Sequence, residues 1–408
     1  MISNFYSKKN IIDIKLRILI PAIILILFSL IILLSTAASE RFTETNFFKQ
    51  LIWISLSIII FIYIQKIRMQ WFFEHAYFLY FVLIGLLCLT HYMPSVGGSS
   101  RWLELLGIKF QPSEIGKIIM IFTLAKFLSD RKIFNQSYLK IIGSLILIIM
   151  PAGIIFLQPD FGTAIIYFSV LFPMFLWSGI NVIIIFFLIA PLVTIILSFN
   201  LSLFFIWIGI ILLFSYYHKI GYRNAIINFF INISSGIVAP FLWNSLLKDY
   251  HRERILTLLN PMSDPQGSGY QIIQSMNAIG SGGLFGKGTG QGTQTQLRFL
   301  PVSDTDFILS VIGEELGLFG ILIVMISIFY LSYWIITYSV KLNSEFFSLV
   351  TIGISSIIFY HFIINIGMTI GIFPVTGLPA PFLSYGGSFF LTCSIMIGIC
   401  NNIFTNHI

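Results

Sequence analysis

Two aspartates two residues apart, Asp304 and Asp306, stand where a long polar segment gives way to an apolar one, and Glu314 and Glu315 follow in the same apolar run. Carboxylates at such a boundary suit proton removal from a hydroxyl, and acids within an apolar span are functional candidates by default because burying them is costly. The competing structural reading makes Asp306 a cap, favoured by the free N–H groups of a helix start. A second constellation gathers cations around a predicted helix start: Gly97-Gly98-Ser99-Ser100-Arg101-Trp102, then Lys109-Phe110-Gln111-Pro112-Ser113-Glu114-Ile115-Gly116-Lys117. Pro112 suits a first helical turn, whose N–H groups favour an anion, and Arg101, Lys109 and Lys117 together would form a diphosphate-binding surface. Glu114 and Lys117 share a helix face and read equally well as a self-neutralising pair. A third, Gln158-Pro159-Asp160-Phe161-Gly162-Thr163, reads as a tight turn with Asp160 capping the next helix.

The elements that must position these groups are membrane helices. The 408-residue chain is 57% hydrophobic and 10% charged, against roughly 25% charged in soluble domains, and its apolar runs are long enough to span a bilayer. Spans are predicted near residues 17–37, 47–64, 72–92, 114–129, 141–157, 162–178, 182–199, 202–217, 225–247, 307–333, 346–370 and 382–402. The expected fold is therefore all-α, a polytopic bundle of about twelve helices, since in lipid only helices and closed barrels satisfy their own backbone. A cytoplasmic N-terminus puts thirteen Lys and Arg inside and eight outside, which predicts both termini inside and a large extracytoplasmic loop at 248–306. The net charge of +7 follows from that bias, and scattered basic residues argue against a nucleic-acid partner. Residues 1–39 begin like a secretory signal, but the apolar run is too long for one and reads as a retained first span.

Cys88, Cys393 and Cys400 fall in apolar spans and point to no disulfide. The six histidines lack paired spacing, so no metal ligands are assigned. The run Gly280-Ser281-Gly282-Gly283-Leu284-Phe285-Gly286-Lys287-Gly288 fails the phosphate-loop pattern, because Gly288 stands where Ser or Thr should follow the lysine. It reads instead as backbone able to turn sharply and approach a substrate, with residues 270–275 as an amphipathic helix resting at the interface.

Segments 101–117, 158–163 and 252–316 resemble the SEDS family of peptidoglycan polymerases. So do Gly371-Ile372-Phe373-Pro374-Val375-Thr376-Gly377-Leu378-Pro379 and Pro381-Phe382-Leu383-Ser384-Tyr385-Gly386-Gly387-Ser388, and the motifs stand in the family's order. Residues 280–288 and 292–301 are closer to the elongation branch, typified by RodA, than to the division branch typified by FtsW. The resemblance implies one GT-C-like domain over residues 1–408 that polymerises lipid II on the outer face of the bacterial cytoplasmic (inner) membrane. In it Asp306 is the catalytic base, while Arg101, Lys109, Glu114, Lys117, Asp160, Asp304 and Glu315 bind or support the substrate. The lipid tail is expected in an apolar groove between helices. A class B penicillin-binding protein is the expected partner, with MreC- and MreD-type elongation components as further candidates. The cofactor requirement is left open, a divalent cation such as Mg2+ or Mn2+ being the one candidate. Two departures stand out: residues 182–224 add an apparent pair of helices to the ten usual in the family, and Asp304 occupies a position where many relatives carry another residue. A lipid II flippase is the alternative activity, and it has no need of an acid poised at the outer surface.

Overall fold

The computed structural model describes residues 14–37, 41–93, 101–105, 108–130, 137–245, 252, 256–257 and 268–408. The readings placed on residues 97–100 and on most of 246–267 lie outside the described residues. Helices occupy every predicted span. In chain order they are α1 (Leu16–Thr36), α2 (Asn46–Ile64), α3 (Met69–Thr90), α4 (Pro112–Leu128), α5 (Ser137–Leu157), the consecutive pair α6 (Phe161–Ser169) and α7 (Leu171–Trp177), α8 (Val182–Leu197), α9 (Leu201–Tyr217) and α10 (Tyr222–Ser245). The polar segment yields α11 (Ser268–Gly282) and the four-residue α12 (Thr293–Gln296), and three long helices finish the chain: α13 (Ile308–Ser339), α14 (Glu345–Thr369) and α15 (Gly387–Asn406). Eight of them, α1, α2, α3, α5, α10, α13, α14 and α15, are long and apolar enough to cross a membrane. This is a multi-pass membrane protein. The strands among the described residues, β1 (Leu103–Leu105) and β2 (Ile108–Phe110), form an antiparallel hairpin with Glu104 opposite Lys109 that leads into α4.

Local signals start these helices where the sequence places them. Thr45 Oγ1 accepts from Phe48 N at 3.2 Å, Asp160 Oδ1 accepts from Thr163 N at 3.2 Å, and Pro112 occupies the first turn of α4. The last helix starts at Gly387, five residues later than predicted, because Pro381 to Gly386 form a strap across the end of the bundle.

α14 and α15 are the centre, with 78% of each apolar span buried. α4, α7 and α13 pack on α14, and α2 packs on α15. The 182–224 region forms α8, α9 and the start of α10; these pack chiefly on one another, with Thr194 Oγ1 donating to Asn232 Oδ1 at 2.6 Å inside the group. α13 is two helices joined at Gly317, whose φ of 68° and ψ of −163° break the ladder. α11 departs from its expected place at the interface. Ile272 and Ala278 are buried, and Ser275 Oγ lies 2.6 Å from Thr369 O and 2.7 Å from Ser310 Oγ, so the helix is wedged against α13 and α14.

Candidate functional site

Residues 301–307 form a turn, with Asp304 and Asp306 both half-buried in it. The capping position of α13 belongs to Phe307, whose side chain makes no capping hydrogen bond, and Asp306 stands one residue before it. Two separate segments, α14 and the strap, hold the backbone of this turn. Asn365 on α14 donates from Nδ2 to Asp306 O at 2.9 Å and to Leu378 O at 2.7 Å. The strap's Ser384 Oγ donates to Thr305 O at 2.5 Å while accepting from Ala380 N at 2.8 Å, and Tyr385 N donates to Asp304 O at 2.8 Å. Gly377, at φ +70°, has no Cβ, and one placed there would lie 3.6 Å from Asp306 Oδ2. The carboxylate therefore lies over bare backbone in a conformation that favours glycine.

Asp304 is held differently. Asn46, the first residue of α2, donates from Nδ2 to Asp304 Oδ2 at 2.8 Å, while Oδ1 is buried with no hydrogen-bond partner among the described residues. Burial pushes the nearby Tyr385 hydroxyl up from its ordinary value, with a hydrogen bond to Trp53 offsetting part of the effect, so it stays protonated at working pH.

The cationic candidates divide into two layers. Lys117 is wholly buried: its Nζ donates to both oxygens of Glu114 at 2.9 Å and to His361 Nε2 at 3.0 Å, and it sits 5.1 Å from the Phe389 ring. The paired reading is the one the geometry favours, and Lys117 is not part of an open diphosphate surface in this conformation. Arg101 lies nearer solvent, its side chain 33% exposed and its guanidinium 3.5 Å from Asp160 Oδ2, which also accepts from Gln111 Nε2 at 3.0 Å. Asp160 thus caps α6 and anchors Arg101 at once. Lys109 has its backbone in β2, and its side chain lies outside the described residues.

The Thr376–Leu378 stretch connects these groups. A Cβ on Gly162, two residues from Asp160, would lie 2.8 Å from Thr376 O, so this stretch has Asp160's turn on one side and Asp306 on the other. Beneath it α14 presents His361 to Lys117 and, one turn on, Asn365 to Asp306. Sequence reasoning missed His361, Asn365, Asn46 and Gln111. The signal available for the first two was a pair of polar residues four apart in an otherwise apolar span.

Two glycines of the run pack closely on α13. A Cβ on Gly282 would lie 1.9 Å from Gly313 O, and one on Gly286 would lie 2.1 Å from Glu315 O. Lys287 N and Gly288 N donate to Glu314 O and Glu315 O, both at 3.0 Å, where α13 breaks. At Gly282 and Gly286 the run is backbone packed on backbone. Glu314 fastens it by accepting from Lys287 Nζ at 2.8 Å, Gln294 N at 2.9 Å and Thr295 Oγ1 at 2.7 Å, among others. Glu315 is also wholly buried, and its nearest donors, on Ser35, Gly290 and Gln296, stop short of well-formed hydrogen bonds. It sits under the packed loop, whose Gly288 N donates to Glu315 O. Among the described residues no three His, Cys, Asp or Glu side chains converge as a metal site.

The cell cycle protein family FTSW_RODA_SPOVE matches the chain over residues 15–208 and 202–407. The peptidoglycan glycosyltransferase MrdB of Escherichia coli K12 is 36% identical over 358 residues, covering 86% of this chain and 84% of its own length. The peptidoglycan glycosyltransferase RodA of Treponema pallidum is 30% identical over 401 residues, covering 88% of this chain and 89% of its own. A solved chain from a peptidoglycan synthase complex that coordinates polymerization and crosslinking superposes with a TM-score of 0.73 at 22% identity, over 97% of this chain and 99% of that one. At that identity the likeness speaks for the fold.

Proposed function

This chain belongs to the FtsW, RodA and SpoVE family of cell cycle proteins, and on that premise we infer that it is a peptidoglycan glycosyltransferase of cell elongation, joining lipid II units into β-1,4 glycan. Asp306 removes the proton from the 4-hydroxyl of the acceptor N-acetylglucosamine. The oxygen then forms a bond to C1 of the donor N-acetylmuramic acid, the C1–O bond to undecaprenyl diphosphate breaks, and its electron pair leaves with the diphosphate. One displacement inverts the donor's α linkage to β and needs no covalent enzyme intermediate. Negative charge grows on the leaving group, and a fixed cation facing it lowers the barrier. Arg101, braced by Asp160, takes that part in this reading; Lys117, buried with Glu114 and His361, holds α4 and α14 in register from below. Lys109 joins Arg101 in this reading.

The observation that carries the proposal is Asp306 itself: an acid at the head of a membrane helix, in a turn whose backbone is held by α14 and the strap. The two aspartates supply hard oxygen ligands of the kind a divalent cation prefers, and Asp304 Oδ1 is a buried oxygen awaiting a partner. Mg2+ or Mn2+ held there would add charge neutralisation to the departing diphosphate. The active end faces outward, both termini face the cytoplasm, and the transpeptidase partner is a class B penicillin-binding protein, with MreC- and MreD-type components in the same assembly. Support for a partner comes from the synthase complex that shares the fold. The test is reconstitution of the co-expressed complex in liposomes with labelled lipid II: polymer is expected. Movement of lipid II between leaflets without polymer would replace this reading with a flippase.

A further inference from the structure

Where α14 begins, the ends of α4, α5, α7 and α13 gather around a cavity of about 470 Å3. It lies far from the aspartates, because Asn365, which holds Asp306, is twenty residues further along α14 than Glu345 in the cavity wall, about 30 Å by helical rise. The walls are tied to one another. Trp177 Nε1 at the end of α7 donates to Ser348 Oγ of α14 at 2.6 Å, and Ser348 Oγ donates to Ser339 O at the end of α13 at 3.0 Å, so the space is preformed in the way ligand sites are.

The lining grades from buried to exposed. Leu128, Leu349 and Lys140 are buried, whereas Asn343 and Glu345 are exposed and mark the mouth. A lysine in the first turn of a membrane helix ordinarily reaches outward to the headgroup level. Lys140 is instead 3% exposed and turned inward, with Nζ donating to Ser178 O at 3.0 Å. Glu345 is near enough for its charge to act on that ammonium. One cavity at a membrane helix end thus carries a cation on its buried side and a carboxylate at its mouth.

We propose that this cavity binds the zwitterionic headgroup of a phosphatidylethanolamine-type lipid, with the phosphate on Lys140 and the primary ammonium on Glu345. The order of charges matches a lipid seated in its leaflet, whose phosphate lies deeper than its amine. Lysine serves phosphate as a point charge, and a carboxylate accepts from the N–H donors of a primary ammonium. Phosphatidylglycerol would meet Glu345 with hydroxyls alone, and the quaternary ammonium of phosphatidylcholine has no N–H to donate. The acyl chains leave past Val340, a lining residue 69% exposed, and Ile336 one turn back on α13. Bound there, the lipid fastens α5 and α7 to α13 and α14 and stabilises the bundle by mass action.

The test uses the purified full chain in detergent and three lipids with matched chains: phosphatidylethanolamine, phosphatidylglycerol and phosphatidylcholine. Retention is read by native mass spectrometry, and melting temperature is followed as each lipid is added. Phosphatidylethanolamine is expected to be held about tenfold more tightly than the other two and to raise the melting temperature most. Glu345→Gln, at an exposed position, keeps the fold and should bring phosphatidylethanolamine down to the level of phosphatidylglycerol. Lys140→Met should lower retention of both phosphatidylethanolamine and phosphatidylglycerol; should it fail to fold, Glu345→Gln decides. Equal retention of the three lipids overturns the proposal, as does an undiminished preference in Glu345→Gln. Binding of soluble phosphoethanolamine as tight as that of the lipid would make the ligand a solute and overturn the lipid assignment.

Discussion

The seam between α2 and α15 is built differently at its two ends. Far from Asp306, Asn402 Nδ2 donates to Ile64 O at 2.7 Å and Ile67 O at 2.9 Å, Gln65 Nε2 donates to Phe61 O and Gly398 O at 3.1 Å, and Asn401 Nδ2 donates to Gln65 Oε1 at 2.8 Å. Near Asp306, Gln50 is wholly buried with neither amide atom hydrogen-bonded among the described residues, and Asp304 Oδ1 is buried and unpaired among them too. An unpaired buried polar group costs about 1–3 kcal/mol. The far end is thus finished for stability, and the near end carries polar groups that the resting packing does not use, beside the acids assigned to catalysis.

Substitutions can break or sharpen this contrast. The largest effect is expected for Gly387→Ala, whose Cβ would lie 2.1 Å from the Trp53 ring. It should cost about 3 kcal/mol and displace the strap, lowering both the melting temperature and polymerisation. Asn402→Leu strips a shared donor from two backbone carbonyls and should cost about 2 kcal/mol in thermal unfolding, with turnover per folded molecule unchanged. Gln50→Leu should have the opposite sign, neutral or stabilising by about 1 kcal/mol while slowing polymerisation. Equal losses of stability from Asn402→Leu and Gln50→Leu would erase the distinction between the two ends.

The helices were legible in the sequence because apolar runs and caps such as Pro112 and Asp160 are local signals. The strap was not: residues 382–386 are apolar enough to extend α15, whereas the bonds that tie them to Thr305 and Asp304 come from some eighty positions away in sequence. At the site, Asp306 was legible as an acid at an apolar boundary. The division of Arg101 from Lys117 was not, because burial by His361 and Phe389 comes from helices distant in sequence. The glycine run hid its packing partner for a related reason. Its spacing announces close backbone approach without saying to what, and the approach is to α13.

The most direct measurement compares polymerisation by Asp306→Asn and Asp304→Asn with wild type in the co-purified complex, with melting temperatures taken alongside. Both substitutions keep size and remove a carboxylate. The assignment of Asp306 as base predicts that Asp306→Asn loses about a thousandfold in turnover at an unchanged melting temperature, whereas Asp304→Asn, which retains an acceptor for Asn46, loses about tenfold or less. Turnover surviving in Asp306→Asn, or the larger loss falling on Asp304→Asn, would contradict it.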